Sequence, residues 1–171
     1  MDRDRNSDGF RWLSADEQRA WRAYLRATEA LLAHLDRESQ RRAGLSLADY
    51  EILVRLSEAP GRRLRMSDLS DETQFSRSRL SHATNRLAAL GWIEREECPT
   101  DRRGTFAVLT DAGFAALAAA APGHVDVVRR LVFDALGPDD VEGFEQCCTR
   151  IADAVEAACT RIHSRSGPPQ A

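Results

Sequence analysis

An arginine-containing segment without acidic residues lies in the middle of the chain, from Thr73 to Ile93. On a helical wheel, one side of residues 76–90 is apolar, and the other side carries hydroxyl, amide, imidazole and guanidinium groups. Such groups form hydrogen bonds with phosphates and with base-pair edges in a DNA major groove. The candidate contact residues on this helix are Ser76, Arg77, Ser78, Arg79, Ser81, His82, Asn85 and Arg86.

The alternative interpretation of this segment is an ordinary solvated face of an amphipathic helix. Solvated faces usually mix both signs of charge, whereas this face carries only cations. Arg77 and Arg79 also fall in the first turn, where the helix dipole disfavours each cation by about 0.3–1 kcal/mol. A phosphate partner would account for this placement, because a helix N-terminus attracts anions. The pattern therefore favours a helix that contacts DNA.

The distribution of charge agrees with a local nucleic-acid site. The whole chain has a net charge of −3, but residues 62–103 carry nine Arg and seven acidic residues, a net charge of +2. All basic residues are Arg, which a GC-rich genome would explain. Physically, every cationic contact can then be a planar guanidinium fork, which suits phosphate or guanine.

A second candidate contact lies between two strand-like runs, residues 92–98 and 105–109. The intervening residues 99–104 are predicted to form a hairpin loop with two arginines at its tip. An arginine in this position can enter a minor groove, and a neighbouring aspartate can orient it by a charge-assisted hydrogen bond. The alternative interpretation is a charged turn that contacts only solvent. The acid-free face of the neighbouring helix favours the DNA-contacting interpretation instead. The candidate residues are Asp101, Arg102 and Arg103.

Helix-capping signals predict the elements that position these groups. Ser14 with Glu17 starts a helix that ends near Arg42, before Gly44, and a second helix follows Ser46 and stops at residues 59–61. The next predictions, along the chain, are an extended piece at 64–66, a short helix capped by Ser67, the helix 76–90, the hairpin, and a helix capped by Thr110. Pro122-Gly123 is expected to break or kink that helix.

The last predicted helix opens at Gly137-Pro138 and carries an apolar seam. Its apolar residues alternate in steps of three and four, which favours packing of one helix on another. The seam residues expected at a dimer interface are Val141, Phe144, Cys148, Ile151, Val155 and Ile162.

Several function classes lack their signatures. The chain has no HExxH motif and no glycine-rich phosphate loop, so we do not expect an enzyme. Its four cysteines form no CxxC pair and its histidines are scattered, so we expect neither a metal nor another cofactor. No apolar run approaches the roughly 20 residues of a membrane span, and residues 1–9 contain no signal-peptide core. We therefore expect no membrane association and a cytoplasmic, nucleoid-associated protein.

The stretch from Leu64 to Gly113 resembles the multiple-antibiotic-resistance regulator (MarR) family. Three groups of residues carry the resemblance in the helical part: Met66-Ser67-Asp68-Leu69, Ser76-Arg77-Ser78-Arg79-Leu80-Ser81, and Arg86-Leu87 with Leu90-Gly91-Trp92-Ile93. The most specific part is Asp101-Arg102-Arg103 followed by Leu109-Thr110-Asp111-Ala112-Gly113, which is similar to the family's Asp-x-Arg wing signature. Ser70-Asp71-Glu72 departs from the family pattern by placing two acids on the short helix.

The resemblance implies a mainly α fold with a small β-hairpin wing, in which a winged helix-turn-helix domain is joined to a helical dimerisation domain. It implies a homodimer on a near-palindromic, inverted-repeat operator in double-stranded DNA, with helix 76–90 in the major groove and Arg103 in the minor groove. The expected domains are a flexible N-terminus (1–13), a dimerisation domain (14–44 and 112–163), a winged-helix domain (45–111) and a disordered tail (164–171).

The resemblance leaves the regulatory signal open. Repression relieved by a small phenolic or aromatic effector is one expectation; Trp21, Tyr24 and His34 are available for it, although core packing is the simpler interpretation of these residues. Cysteine-based redox sensing is an alternative, through Cys98 on the wing or Cys148 on the seam. A winged-helix module that binds protein instead of DNA is the other alternative, but such a module would not need the acid-free face.

Overall fold

The computed structural model describes residues 11–98 and 101–165, without the side chains of residues 101–103 and 160–165. Within these residues the chain is mainly helical and contains one three-stranded antiparallel sheet, which confirms the predicted fold class. The elements are α1 (Ala15–Ala43), α2 (Leu47–Glu58), β1 (Arg63–Arg65), α3 (Met66–Thr73), α4 (Arg77–Ala89), β2 (Ile93–Cys98), β3 (Asp101–Leu109), α5 (Asp111–Val128) and α6 (Val141–Arg165).

Helices α1 and α2 each begin with a serine whose side chain closes a capping box. Ser14 Oγ accepts a hydrogen bond from the Glu17 amide (3.2 Å), and the Glu17 carboxylate accepts one from the Ser14 amide (2.7 Å). Ser46 and Asp49 repeat this arrangement in α2. Helix α1 ends at Gly44, which has a φ of +68°, a left-handed conformation that glycine adopts without strain. The local signals thus locate both helices to within about one residue.

Helix α3 begins before the residue that we expected to cap it. Its N-cap is Arg65, and Ser67 lies in the first turn, where its hydroxyl donates to Asp68 Oδ1 (3.0 Å). The prediction of a Ser67 cap is therefore wrong. Pairing of Arg65 with Phe106 in the sheet holds the chain extended up to this residue, and the helix starts directly after it.

Strand β3 is the central strand of the sheet and pairs with β1 on one side and β2 on the other. On the β2 side, Glu97 pairs with Thr105 and the next residue, Cys98, pairs with Asp101, so the three residues in between form a bulge. The prediction that residues 99–104 form a loop is therefore wrong for 101–104. These residues belong to β3, because the bulge absorbs the extra chain length and lets pairing continue.

A leucine-rich core lies where α2, α3, α4 and the sheet pack together. The core residues of β3 alternate along the strand, and those of α2 and α4 recur at helical spacing. Both patterns are expected for elements with one apolar face. The most deeply buried side chains are Leu45, Ile52, Leu53, Leu56, Leu69, Leu80, Leu87 and Ile93.

Thr110 joins the base of the wing to helix α5. Its hydroxyl accepts a hydrogen bond from the Gly113 amide (3.0 Å) and donates one to the Gly91 carbonyl oxygen (2.8 Å). Gly113 packs so closely on the preceding connection that a Cβ atom there would lie 2.1 Å from the Trp92 carbonyl oxygen. The hydrogen bonds of Thr110 and the close packing of Gly113 thus hold the start of α5 against the base of the wing.

Helix α5 continues through Pro122 to Val128, so the helix does not break at Pro122-Gly123, and a kink there remains a prediction. Proline removes one backbone hydrogen bond from a helix. Leu117 and Val127, one on each side of the proline, are buried, and this packing offsets the loss.

The chain divides into two compact units, Met1–Val127 and Val128–Ala171. The first contains the sheet, α1 to α4 and nearly all of α5, and the second contains a π-helical turn, Arg129–Phe133, and α6.

Helix α6 extends to Arg165, so Ser164 is helical and the predicted tail cannot begin there. Residues 166–171 of that tail and residues 1–10 of the predicted flexible N-terminus lie outside the described residues. The predicted grouping of 14–44 with 112–163 as a dimerisation domain remains a prediction.

Within residues 11–98 and 101–165, no helix combines the length and the apolar character that crossing a membrane requires.

Candidate nucleic-acid interface

Helix α4 presents the acid-free face to the surface and buries the opposite face. Leu80, Ala83, Thr84 and Leu87 lie in the interior. Seven of the eight residues predicted to contact DNA on this helix are exposed, and the remaining one, Ser81, is half-buried. The exposed residues are Ser76, Arg77, Ser78, Arg79, His82, Asn85 and Arg86. The structure therefore brings the predicted helix residues together on one solvent-facing surface.

The N-terminus of α4 combines a serine cap with a first turn free of acidic residues. Ser76 Oγ accepts a hydrogen bond from the Arg79 amide (3.2 Å). The remaining amides of the first turn have no intrahelical partner, and they point in the same direction as the positive end of the helix dipole. This end of the helix therefore attracts anions through its backbone as well as through Arg77 and Arg79.

An ion pair anchors the far end of α4 to α2. Arg86 Nη2 donates to Asp49 Oδ1 at 2.6 Å, and Asp49 is only 6% exposed. The other carboxylate oxygen of Asp49 accepts hydrogen bonds from the amide and the hydroxyl of Ser46. Part of the Arg86 guanidinium is thus committed to positioning the helix. The capping-box spacing of Ser46 and Asp49 was a signal for this acid, but nothing local indicated its partner.

A second anchor connects α4 to the wing. Thr84 is fully buried, and its hydroxyl donates to the Leu80 carbonyl oxygen (2.9 Å). Arg95 Nη2 in β2 donates to Thr84 Oγ1 at 2.6 Å. Helix and wing are therefore held in a defined relation, which sequence reasoning did not foresee because the two residues lie on different elements.

A groove runs between α3 and α4 and contains both signs of charge. Its lining includes the Ser67 and Ser70 side chains and Arg77, all suited to an anion, but also Asp71. The Ser70 hydroxyl donates to the Phe75 carbonyl oxygen (2.8 Å), which fixes the turn between the two helices. The carboxylate of Asp71 opposes the binding of an anion in this groove.

The wing residues are defined in the backbone only. Asp101, Arg102 and Arg103 begin β3 and belong to the bulged segment opposite Cys98, while their side chains lie outside the described residues. Their predicted contacts with DNA remain predictions.

The residues considered for sensing a regulatory signal do not lie together in the part of the chain that the structure describes. Trp21 and Tyr24 stack with ring centroids 5.7 Å apart, and each is about half exposed. His34 lies ten residues further along the same helix, about 15 Å away at the helical rise. Cys148 is exposed on α6, whereas Cys98 is buried and its sulfur accepts a hydrogen bond from Arg65 Nη2 (3.1 Å). Sequence reasoning missed this arginine, because it lies 33 positions away from Cys98 along the chain.

Comparison with known proteins identifies the same family in sequence and in structure. A model of the MarR family matches residues 43–104. Among curated protein sequences, none matches the chain.

Two solved Streptomyces coelicolor structures are similar over most of the chain. The MarR family transcriptional regulator Sco3205, in complex with DNA, is 48% identical, with a TM-score of 0.81 over 85% of this chain and 91% of that chain. The MarR family transcriptional regulator AbsC is 42% identical, with a TM-score of 0.79 over 86% of this chain and 99% of that chain.

A mutant of Escherichia coli MarR, complexed with operator DNA, shares the fold at 20% identity, with a TM-score of 0.68 over 77% of this chain and 91% of that chain. The fold, the local motifs and the identity to the two Streptomyces proteins all agree. The chain belongs to the MarR family of transcriptional regulators.

Proposed function

We propose that this protein is a sequence-specific regulator of transcription that binds an inverted-repeat operator as a homodimer, with helix 76–90 in the major groove. The observation that carries the proposal is the exposed, acid-free face of α4, with the anion-attracting end of the helix beside Arg77 and Arg79. The similar protein Sco3205 was solved with DNA, which supports the same partner here. A regulator of this kind acts in the cytoplasm, at the nucleoid.

The DNA-contacting face can be tested by placing one carboxylate on it. His82→Glu introduces a negative charge in the middle of the face, where it would oppose the phosphates and bases. We expect the affinity for the DNA upstream of the protein's own gene to fall at least about tenfold, measured by fluorescence anisotropy. Gln18→Glu, which adds the same charge to the exposed start of α1, is the matched control and should bind normally. Equal affinities of the two variants would contradict the proposal.

In the proposed complex, the wing adds a minor-groove contact through Arg103. Strand β3 begins at Asp101 and is paired on both sides, which gives the wing a firm base for such a contact. Arg103→Ala should lower the affinity and reduce the preference for A·T pairs that flank the half-sites, because an A·T-rich minor groove is narrow and attracts arginine. Unchanged affinity would show that the wing does not contact DNA.

The proposed homodimer is supported by the apolar seam of α6. Phe144, Ile151 and Val155 are 43–54% exposed in the single chain, an unfavourable state for large apolar side chains. Val141 is half-buried and Cys148 exposed, and the side chain of Ile162 lies outside the described residues. Ile151→Glu should shift the protein from dimer to monomer in sedimentation equilibrium. A monomeric wild type would exclude the dimer model.

We also propose that the bound protein represses transcription and that a small aromatic or phenolic effector releases it. A recess lined by Leu35, Arg42 and His124, with the Tyr50 ring stacked on His124 (centroids 4.3 Å apart), offers apolar, aromatic and cationic groups, but its volume of about 20 Å³ admits only a water-sized molecule, so an effector must widen it on binding. Salicylate is a suitable probe, because it has a phenolic ring and a carboxylate. Release of operator DNA by millimolar salicylate would support this part, and no change in affinity with salicylate and uncharged phenols would contradict it.

A further inference from the structure

The ring of Phe75 and the guanidinium of Arg79 form a stacked pair at the start of α4. Phe75 immediately precedes the helix cap and belongs to the hydrophobic core, with only 9% of its surface exposed. Arg79 lies one turn further on, and its guanidinium carbon is 4.0 Å from the centre of the Phe75 ring. The arginine itself is exposed on the DNA-facing side. A core residue therefore supports a surface cation through a cation–π contact.

The helix cap fixes the backbone of Arg79, and an acid of α2 lies near its side chain. Its amide donates to the cap hydroxyl of Ser76, which fixes the backbone of this residue (3.2 Å). Burial raises the pKa of the Glu51 carboxyl, and the nearby guanidinium groups of Arg55 and Arg79 oppose that increase. The guanidinium of Arg79 therefore stacks on an aromatic ring and lies near a half-buried acid of α2.

Arg77, two residues away, is an arginine without this support. It lines the groove between α3 and α4, beside Ser67 and Ser70. Within residues 11–98 and 101–165, Arg77 has neither an aromatic ring under its guanidinium nor an ion-pair partner. The two arginines thus differ in how far their guanidinium planes are fixed before any partner binds.

We infer that Arg79 recognises a guanine in each half-site and that Phe75 is the positioning residue that holds its guanidinium in the required plane. The inference rests on the proposed function. It adds which base is recognised and which residue orients the recognising arginine. Arginine forms a bidentate pair with O6 and N7 of guanine, which requires a defined plane and direction. A guanidinium that is already oriented loses less conformational freedom when it binds. Arg77, without a fixed plane, suits a phosphate, which accepts hydrogen bonds from many directions.

The position of the pair along α4 agrees with this role. In helix-turn-helix proteins, residues near the N-terminus of the second helix contact the base edges. Arg79 is the third residue of α4, and its side chain is exposed there. Lysine at this position would keep the charge but lose the planar fork, and leucine at position 75 would keep an apolar core residue but lose the ring face.

Selection of binding sites from a random pool of double-stranded DNA tests the inference and does not require a defined operator sequence. The wild-type protein is expected to select sites with a G·C pair at one fixed position in each half. Arg79→Lys should reduce the preference at that position by about tenfold, and Phe75→Leu by about two- to fivefold, as expected for loss of an exposed cation–π contact; both should leave the preferences at other positions in place. Phe75→Tyr, which restores the ring face, should retain the wild-type preference.

Arg77→Lys is the matched control, because it makes the same chemical change at the unsupported arginine. It should weaken binding to all sequences similarly, without altering the preference at any one position. Circular dichroism shows whether Phe75→Leu is folded, and Arg79→Lys, a surface change, tests the guanine contact independently of folding. Guanine selection that keeps its wild-type strength in Arg79→Lys, or in folded Phe75→Leu, overturns this inference and leaves the proposed function in place. A wild-type protein that selects no sequence would instead refute the proposed function, and the inference with it.

Discussion

Gly113→Ala would place a methyl group against the chain segment that joins α4 to the wing. The added Cβ would lie 2.1 Å from the Trp92 carbonyl oxygen and 2.8 Å from Leu109 Cδ1. The carbonyl cannot move aside alone, because it accepts a hydrogen bond from the Thr110 amide (3.1 Å). The substitution must therefore displace α5 from the base of the wing.

We expect Gly113→Ala to lower the free energy of unfolding by about 2 kcal/mol. Overpacking costs about 1–3 kcal/mol, and a clash with backbone belongs at the upper end of that range. The higher helix propensity of alanine offsets about 0.5–1 kcal/mol. For a chain of this length, a loss of about 2 kcal/mol corresponds to a decrease in Tm of about 4–8 °C.

Gly143→Ala is the matched control for this prediction. Gly143 also lies in a helix, and, apart from its chain neighbours and the adjacent backbone of its own helix, no atom of the described residues lies within 4 Å of a Cβ atom built on it. Alanine there should stabilise the protein by about 0.5–1 kcal/mol. Thermal unfolding followed by circular dichroism, at one protein concentration for all variants, measures both effects. If the two substitutions change the stability equally, within about 0.5 kcal/mol, the close packing of Gly113 is refuted.

Asp49→Ala should lower the free energy of unfolding by about 1–2 kcal/mol, because it removes the acid of the Ser46 capping box. It also removes the ion pair with Arg86, which contributes less than about 1 kcal/mol because Arg86 is exposed. Urea unfolding of Asp49→Ala, Arg86→Ala and the double variant measures the coupling, and strictly additive effects would show that there is none. Burial lowers the pKa of His124, so the neutral ring stacked on Tyr50 is favoured in the folded state. Stability should therefore be complete above the ordinary pKa of 6.5 and decline as the pH falls below it toward the lower folded-state pKa. His124→Phe should reduce this decline in Tm, and an equal decline in both proteins would contradict the assignment.

The helices could be predicted from the sequence because their ends depend on local chemistry. The Ser14 capping box, the Gly44 terminus and the Ser76 cap are each complete within a few residues. The start of α3 was misplaced because Arg65 is held by Phe106, which is far away in the sequence. The extent of β3 was also missed, because a bulge depends on pairing between strands and leaves no clear local pattern.

The exposed residues of the candidate site could also be predicted from the sequence, but the contacts that hold them in place could not. The wheel separates the exposed face of α4 from the buried one without any tertiary information. The pairing of Arg86 with Asp49 joins residues 37 positions apart, and that of Arg65 with Cys98 joins residues 33 positions apart. Such contacts depend on how helices and strands pack, so residue types alone do not reveal them. The stack of Arg79 on Phe75 spans one helical turn and was within reach of sequence reasoning.

The salt dependence of DNA binding tests the central claim most directly. The measurement is the affinity of the wild-type protein for the DNA upstream of its own gene between about 50 and 200 mM salt. A dimer that neutralises about 6–10 phosphates should lose about 10³–10⁵ in affinity over this range, and an unrelated duplex of equal length should bind far more weakly throughout. Binding that does not change with salt, or that is equal for the two duplexes, would contradict recognition of an operator through the arginine-bearing face of α4.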